Sequence, residues 1–302
     1  MRPMSAVAVT VVAILISLVS AEMARAQGTT DPVIRDSNVG YIDGAIPGDI
    51  LRFQFDAAYD INRPTRSEFF WSPGEPNGNG PDIPERSVDY QDLLFGIEKA
   101  FGRRTSLFVN LPVRFLDPEL NPNTAGLVDM NAGFKHALIY NEDFVATFQF
   151  RTYAPTGDVE RGLGNGHVSL EPALLIYKPL GYGWVAEAEV RDWIPVEGEA
   201  FAGNVIRYGT GLHYNNICWG GWQVVPTAEF IGWTALDGNV TTFDENDLPV
   251  IEDATGDTVF NVKVGMRLKY EDLGDVYMGY GNAITGDRWY EDTFRIEFRL
   301  YL

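Results

Sequence analysis

The sequence predicts an all-β chain, a transmembrane antiparallel β-barrel of about 12 strands, and three observations predict it. Apolar and polar residues alternate with period two in many separate segments. The connections between them alternate between short turns and longer polar loops. The chain begins with an export signal, and no later stretch has the roughly 20 consecutive apolar residues that a spanning helix needs.

The leader comes first in order. Arg2 supplies a positive n-region, 7–19 an apolar run and Ala24-Arg25-Ala26 a cleavage site, so 1–26 reads as a signal peptide. Residues 27–48 then read as a periplasmic N-terminal segment, and 49–302 as the barrel. The formal charge is −19, and loss of Arg2, Glu22 and Arg25 with the leader makes it one unit more negative. Such a surface repels nucleic acid. Cys218 is the only cysteine, which excludes an internal disulfide framework.

Alternation is clearest at the C-terminus, where Phe294, Ile296, Phe298 and Leu300 form one face and Arg295, Glu297 and Arg299 the other. The same pattern sets Leu51, Phe53 and Phe55 against Arg52, Gln54 and Asp56, and Val262, Val264, Met266 and Leu268 against Lys263, Arg267 and Lys269. Strands are expected at 49–60, 88–101, 106–115, 128–139, 144–154, 167–177, 184–194, 204–214, 222–234, 258–270, 275–284 and 292–302. Each has about the 9–11 residues that a tilted strand needs to cross a bilayer, or slightly more.

Short turns fall at 102–104, 140–143, 179–183, 215–221 and 271–274, as expected of periplasmic turns opposite long extracellular loops. A soluble sandwich with one wet face would alternate too. The membrane reading rests on aromatics gathered beside those turns: Tyr140, Phe144, Tyr177, Tyr182, Trp184, Tyr214, Trp219, Trp222, Tyr270 and Tyr277, an interfacial girdle. Outer-membrane lipid and the barrel-assembly machinery follow as partners, and the localisation expected is the bacterial outer membrane.

Two motif stretches carry a family resemblance. Gly126-Leu127-Val128-Asp129-Met130-Asn131-Ala132-Gly133-Phe134-Lys135 resembles a "GLGDL…GLKY" strand, and Ala154-Pro155-Thr156-Gly157-Asp158 with Gly162-Leu163-Gly164 resembles a "PTGD…GLG" loop. Leu170-Glu171-Pro172-Ala173-Leu174-Leu175 resembles the strand that follows. From Val39 to Leu302 the chain is thereby similar to the outer-membrane transporter family named after the meta pathway of phenol degradation. The resemblance implies an outer-membrane barrel, porin-like, and transport of hydrophobic or aromatic compounds. The final Tyr301-Leu302 departs from the terminal Phe that many outer-membrane proteins present for assembly.

On the barrel reading the charged alternates face the lumen. The pore-lining candidates are Arg52, Asp56, Arg151, Glu171, Glu187, Glu189, Arg191, Arg207, Lys263, Arg267, Arg295, Glu297 and Arg299. They either neutralise one another across strands or set the selectivity of a solute path. Loop 61–86 carries Phe69, Phe70 and Trp71, which either pack on the rim or fold inward as a gate or capture site. Ile296→Arg is expected to harm assembly, and Glu297→Arg, a lumen position, to be mild.

Loop 236–257 carries seven acids and no Lys or Arg, but lacks the alternate acids, central Gly and final Glu of a calcium loop, so it reads as solvated. His167 and Ser169 resemble the His-x-Ser of barrel phospholipases, but Leu170-Glu171 stands where Asn-Gly follows there, and no third group completes a triad. No catalytic residue, metal site or cofactor is assigned. The function expected is a channel or transporter for small solutes; the alternatives are a structural or adhesive barrel acting through its loops, and a lipid-modifying enzyme.

Overall fold

The computed structural model describes residues 37–61, 80–81, 83–196, 200–285 and 290–302. The signal peptide and the loop aromatics Phe69, Phe70 and Trp71 lie outside these residues.

Sixteen strands are present among the described residues: β1 (Ile50–Ile61), β2 (Val88–Phe101), β3 (Thr105–Pro118), β4 (Thr124–Leu127), β5 (Met130–Asn141), β6 (Phe144–Ala154), β7 (Val168–Gly181), β8 (Trp184–Val196), β9 (Val205–Tyr214), β10 (Ile217–Trp219), β11 (Trp222–Ala235), β12 (Asn239–Phe243), β13 (Pro249–Asp253), β14 (Thr258–Tyr270), β15 (Gly274–Ala283) and β16 (Asp292–Tyr301). Twelve of them form a closed antiparallel barrel, each paired with its neighbour in the chain. β9 pairs with β11 (Glu229 opposite Gly211), and β16 returns to β1, with Asp56 opposite Arg295. The remaining four are accessory. β4 pairs with β3 beyond the stretch that β5 covers, β10 folds back on β11, and β12 and β13 make a hairpin from the acidic 236–257 loop.

Each expected strand is found within a few residues of its predicted bounds. The alternation then sorts the two faces. Outward lie Phe53, Phe95, Leu174, Val190, Phe230, Val264, Met278 and Phe298, each more than a third exposed, while Glu171, Glu187, Arg191, Arg267, Asp275 and Arg299 point inward and are buried. This is the reverse of a water-soluble sheet protein. An apolar outer wall is stable only where lipid covers it. A bulge in β5 between Ala137 and Ile139 turns both Leu138 and Ile139 outward without spoiling the register beyond it.

The girdle is real but smaller than expected. Trp184 packs on Tyr214 (ring centroids 5.0 Å apart) and Trp222 on Tyr270 (4.6 Å), all beside the short turns. Tyr182, 94% exposed, projects from the tip of one turn. Tyr177 and Tyr277 do not belong to it. Both share the parity of their strands' inward residues and are buried inside the barrel.

Candidate functional site

The barrel interior is a lattice of ion pairs, many between residues directly opposite one another in the ladder. Arg295 grips Asp56 with two bonds of 2.6 and 2.7 Å, and Arg114 grips Asp92 with 2.7 and 2.6 Å. Arg151 bonds Glu171 at 2.8 Å, and Arg299 bonds Asp275 at 2.7 Å. The fork of a guanidinium matches a carboxylate at this separation, which is why Arg predominates over Lys here. A continuous chain runs Arg151–Glu171–Arg191–Glu189–Arg207 across β6 to β9. A second joins Arg52, Glu297, Arg267, Asp275 and Arg299 across β1, β16, β15 and β14.

All thirteen pore-lining candidates therefore stand on the inward side. They do not bound an open path. Residues 37–48, expected to lie in the periplasm, enter the lumen, and the charged wall holds them by their own main chain. Successive carbonyls accept from arginines: Ser37 from Arg299 (3.0 Å), Asn38 and Val39 from Arg267 (3.2 and 2.9 Å), Gly40 from Arg295 and Tyr41 from Arg207. The amides are held in turn by acids. Glu229 accepts from the N–H groups of Gly40, Tyr41 and Ile42 at 2.8, 2.9 and 2.9 Å, Glu189 from Asp43 at 2.8 Å, and Glu98 from Gly48 at 3.1 Å. Glu187, bonded to His213 at 3.0 Å, takes the amide of Asn38 and the hydroxyl of Ser37.

The depth of these contacts gives the plug its shape. Ser37 and Gly48 meet wall residues near the short-turn end, whereas Tyr41 to Asp43 reach Arg207, Arg295 and Arg151 in the half of their strands away from the short turns. The segment goes in and comes back. A buried backbone needs a partner for every polar group, and here side chains of the wall supply what a sheet or helix would otherwise supply. An apolar segment rich in glycine suits that arrangement. Val39, Tyr41, Ile42, Ala45 and Ile46 are all buried, and such a run would sit poorly in periplasmic water.

Beside the plug remains a cavity of about 190 Å³, lined among others by Arg52, Glu98, Lys135, Arg151, Arg207 and Arg295. On the far side of it from the short turns the lumen becomes apolar and aromatic, with Ile61, Tyr90, Leu116, Trp193, Trp233 and Tyr290 in one cluster. His167 and Ser169 belong to this inward region. The His167 ring lies 6.0 Å from that of Trp193, and Ser169 is fully buried. Ser169 thus faces away from lipid. Among the described residues no group of three or more His, Cys, Asp or Glu could hold a metal ion, and of the 236–257 acids five stand on the β12–β13 hairpin while Asp237 and Asp257 flank it.

Several inward residues were not legible as site residues: Asp43, Asp92, Glu98, Lys135, His213, Glu229 and Asp275. Asp43 lies in the plug, outside any strand; the strands of the others mix polar and apolar residues on the inner face, as with Val225, Thr227, Glu229 and Ile231 of β11, so one charge does not announce a side. The two motif stretches meet. The Asp129 carboxylate accepts from the amides of Gly157 (2.9 Å) and Asn165 (2.7 Å), and a Cβ on Gly157 would collide with the Leu163 carbonyl. The motifs encode a structural joint at the loop end.

This architecture is found in solved structures. A COG4313 outer-membrane channel from Pseudomonas putida F1 superimposes over 91% of this chain and 100% of its own, with a TM-score of 0.53 and 11% identity. The chain has the fold of a bacterial outer-membrane β-barrel. The β-domain of the Bordetella autotransporter BrkA aligns with a TM-score of 0.49 at 16% identity (85% of this chain, 100% of that one). The KdgM porin aligns at 0.45 and 9% (84% and 99%). No protein family matches the chain's sequence, and no curated protein does.

Proposed function

We propose that the protein is an outer-membrane channel for small solutes, closed in this state by residues 37–48, rather than an enzyme. One observation carries the reading: the plug is held by polar contacts to wall side chains, made mostly by its main chain and also by the Asp43 carboxylate with Arg151 and Arg191, and not by a covalent link or a strand pairing. Such contacts exchange readily for water, because each net hydrogen bond is worth only about 0.5–1.5 kcal/mol, or 1.5–3 where one partner is charged. The polar cavity beside the plug is the start of a path that withdrawal would widen.

For the solute, the aromatic cluster on the extracellular side of the plug and the resemblance to the phenol meta-pathway family favour small hydrophobic or aromatic compounds. The same cluster supports the competing reading, a permanently filled structural or adhesive barrel, because Ile61, Leu116, Trp193 and Trp233 pack as a core. Planar-bilayer recording separates them. Purified protein should show rare openings, and a variant lacking 37–48 should conduct steadily. If both are silent and neither admits small aromatics to liposomes, the structural reading holds.

A further inference from the structure

Among the inward cations, Lys263 stands apart. Arg52, Arg114, Lys135, Arg151, Arg191, Arg207, Arg267, Arg295 and Arg299 each have a carboxylate within ion-pair distance. The ammonium of Lys263, 4% exposed, makes no ion pair or hydrogen bond among the described residues. It rests on the rings of Tyr41 (3.7 Å to the centroid) and Tyr290 (4.7 Å). Yet a carboxylate is its direct cross-strand neighbour. Glu229 of β11 lies opposite Lys263 of β14 in the ladder, where Cβ atoms stand about 4.5–5.5 Å apart and both side chains have ample reach. Glu229 is turned away because the plug occupies it, through the amides of Gly40, Tyr41 and Ile42.

We propose that Glu229 and Lys263 form a two-position latch. With the plug seated, the Glu229 carboxylate binds three plug amides while Lys263 lies on the Tyr41 ring of the same plug. When the plug leaves, both residues lose those partners together, and they pair with each other. The proposal rests on the reading that the plug withdraws. Its physical content is that neither charge is stranded in either state, since a buried charge left alone is the costly alternative. The latch lowers the barrier to opening without weakening the closed state. Among the described residues no other pair of wall residues directly opposite in the ladder has one member on plug amides and the other on a plug ring; Arg295, which also lies over the Tyr41 ring, is opposite Asp56.

The test is a double-mutant cycle read by thiol labelling. In a Cys218→Ser background, Val39→Cys places a thiol at a plug position that is 4% exposed, and a bulky maleimide should reach it only after withdrawal. Glu229→Gln should speed labelling of the folded, purified barrel. Lys263→Met removes the Tyr41 contact whether or not Glu229→Gln is also present, so the comparison isolates the pair. The latch requires Lys263→Met to slow labelling when Glu229 is present, by at least about threefold relative to its effect in the Glu229→Gln background. An equal factor in both backgrounds, or coupling of the opposite sign, overturns the latch while leaving withdrawal intact. If Val39→Cys is labelled only after unfolding in every variant, the plug is permanently seated, and the channel reading fails together with the latch.

Discussion

Arg267→Met should release the plug more than it weakens the barrel. The Arg267 side chain is completely buried, and its guanidinium has four partners: the carboxylates of Asp275 and Glu297 in the wall and the carbonyls of Asn38 and Val39 in the plug. Removing one member of a buried pair costs about 3–5 kcal/mol when it leaves the other charge alone. Neither carboxylate would be alone here. Asp275 keeps Arg299 at 2.7 Å and Glu297 keeps Arg52 at 3.0 Å. The two plug carbonyls have no such reserve, and an unsatisfied buried acceptor costs about 1–3 kcal/mol. The plugged state should therefore lose about 2–4 kcal/mol, allowing for partial relaxation. At about 1.4 kcal/mol per tenfold, that raises the unplugged fraction roughly 30- to 700-fold. Hydrogen exchange provides the assay, because the amides of Gly40, Tyr41 and Ile42 bond to Glu229 and exchange only when the plug moves. The reasoning is refuted if their protection is unchanged while the barrel's unfolding midpoint falls sharply.

Other predictions follow from the same wall. Ile296→Arg should cost about 2–4 kcal/mol of barrel stability on the lipid face, and Glu297→Arg should not be mild as sequence alternation alone suggests: it would set a fourth cation among Arg52, Arg267 and Arg299. Comparable folded yields for Glu297→Arg and the parent, judged by heat-modifiable migration, would contradict that. A tag after Asn246, at the tip of the β12–β13 hairpin, should be accessible on intact cells, and one in the 271–273 turn should not; the reverse pattern would invert the topology. The amides of Leu248 and Asn246 donate to Asp244 (2.9 and 2.8 Å) and hold its carboxyl below the usual 3.8. Those bonds should persist above the usual value and be lost as pH falls through the depressed one, and amide shifts of Asn246 and Leu248 that titrate above pH 3.8 would exclude them.

How far the sequence carries this picture differs between wall and plug. Strict alternation in β1, β14 and β16 names both faces, because lipid outside and charge inside impose opposite polarities on neighbouring residues. Position along a strand is legible in the same way, so Arg52, Asp56, Arg295 and Glu297 could be placed inward and even expected to pair. Residues 37–48 offered no periodicity. Their path is dictated by partners scattered from Glu98 to Arg299, each contributing between one and three bonds, and no local pattern encodes such a set. The signal available was compositional: Val39, Tyr41, Ile42, Ala45 and Ile46 form an apolar group in a segment assigned to water. Tyr177 and Tyr277 lie inside, not in the girdle, for a related reason: aromatic residues serve girdles and interiors alike, and strand parity rather than nearness to a turn decides between them.

Tyr277 is where the plug's fit depends on shape rather than charge, and it supplies the last prediction. Its ring is fully buried, meets Tyr41 edge-on at 6.1 Å, and lies 5.0 Å from the Arg267 guanidinium. It also sits in a cradle of three glycines. A Cβ on Gly40 of the plug, Gly265 of β14 or Gly279 of β15 would come within 2.1, 2.2 or 2.5 Å of a Tyr277 ring or hydroxyl atom. Overpacking of this kind costs about 1–3 kcal/mol when the ring must shift. The neighbours that a shifted ring would disturb are Tyr41 and, through the Tyr277 hydroxyl, Glu229 at 3.4 Å. Gly279→Ala changes no charge and no hydrogen-bonding group of the plug. It should nevertheless speed exchange at Tyr41 and Ile42, because displacing Tyr277 removes the surface against which the plug tip is seated. Tyr277→Leu in addition should relieve the collision and return exchange toward the level of Tyr277→Leu alone. If Gly279→Ala and the parent exchange alike at those amides, the cradle is only a consequence of tight packing, and the arginines and Glu229 hold the plug unaided.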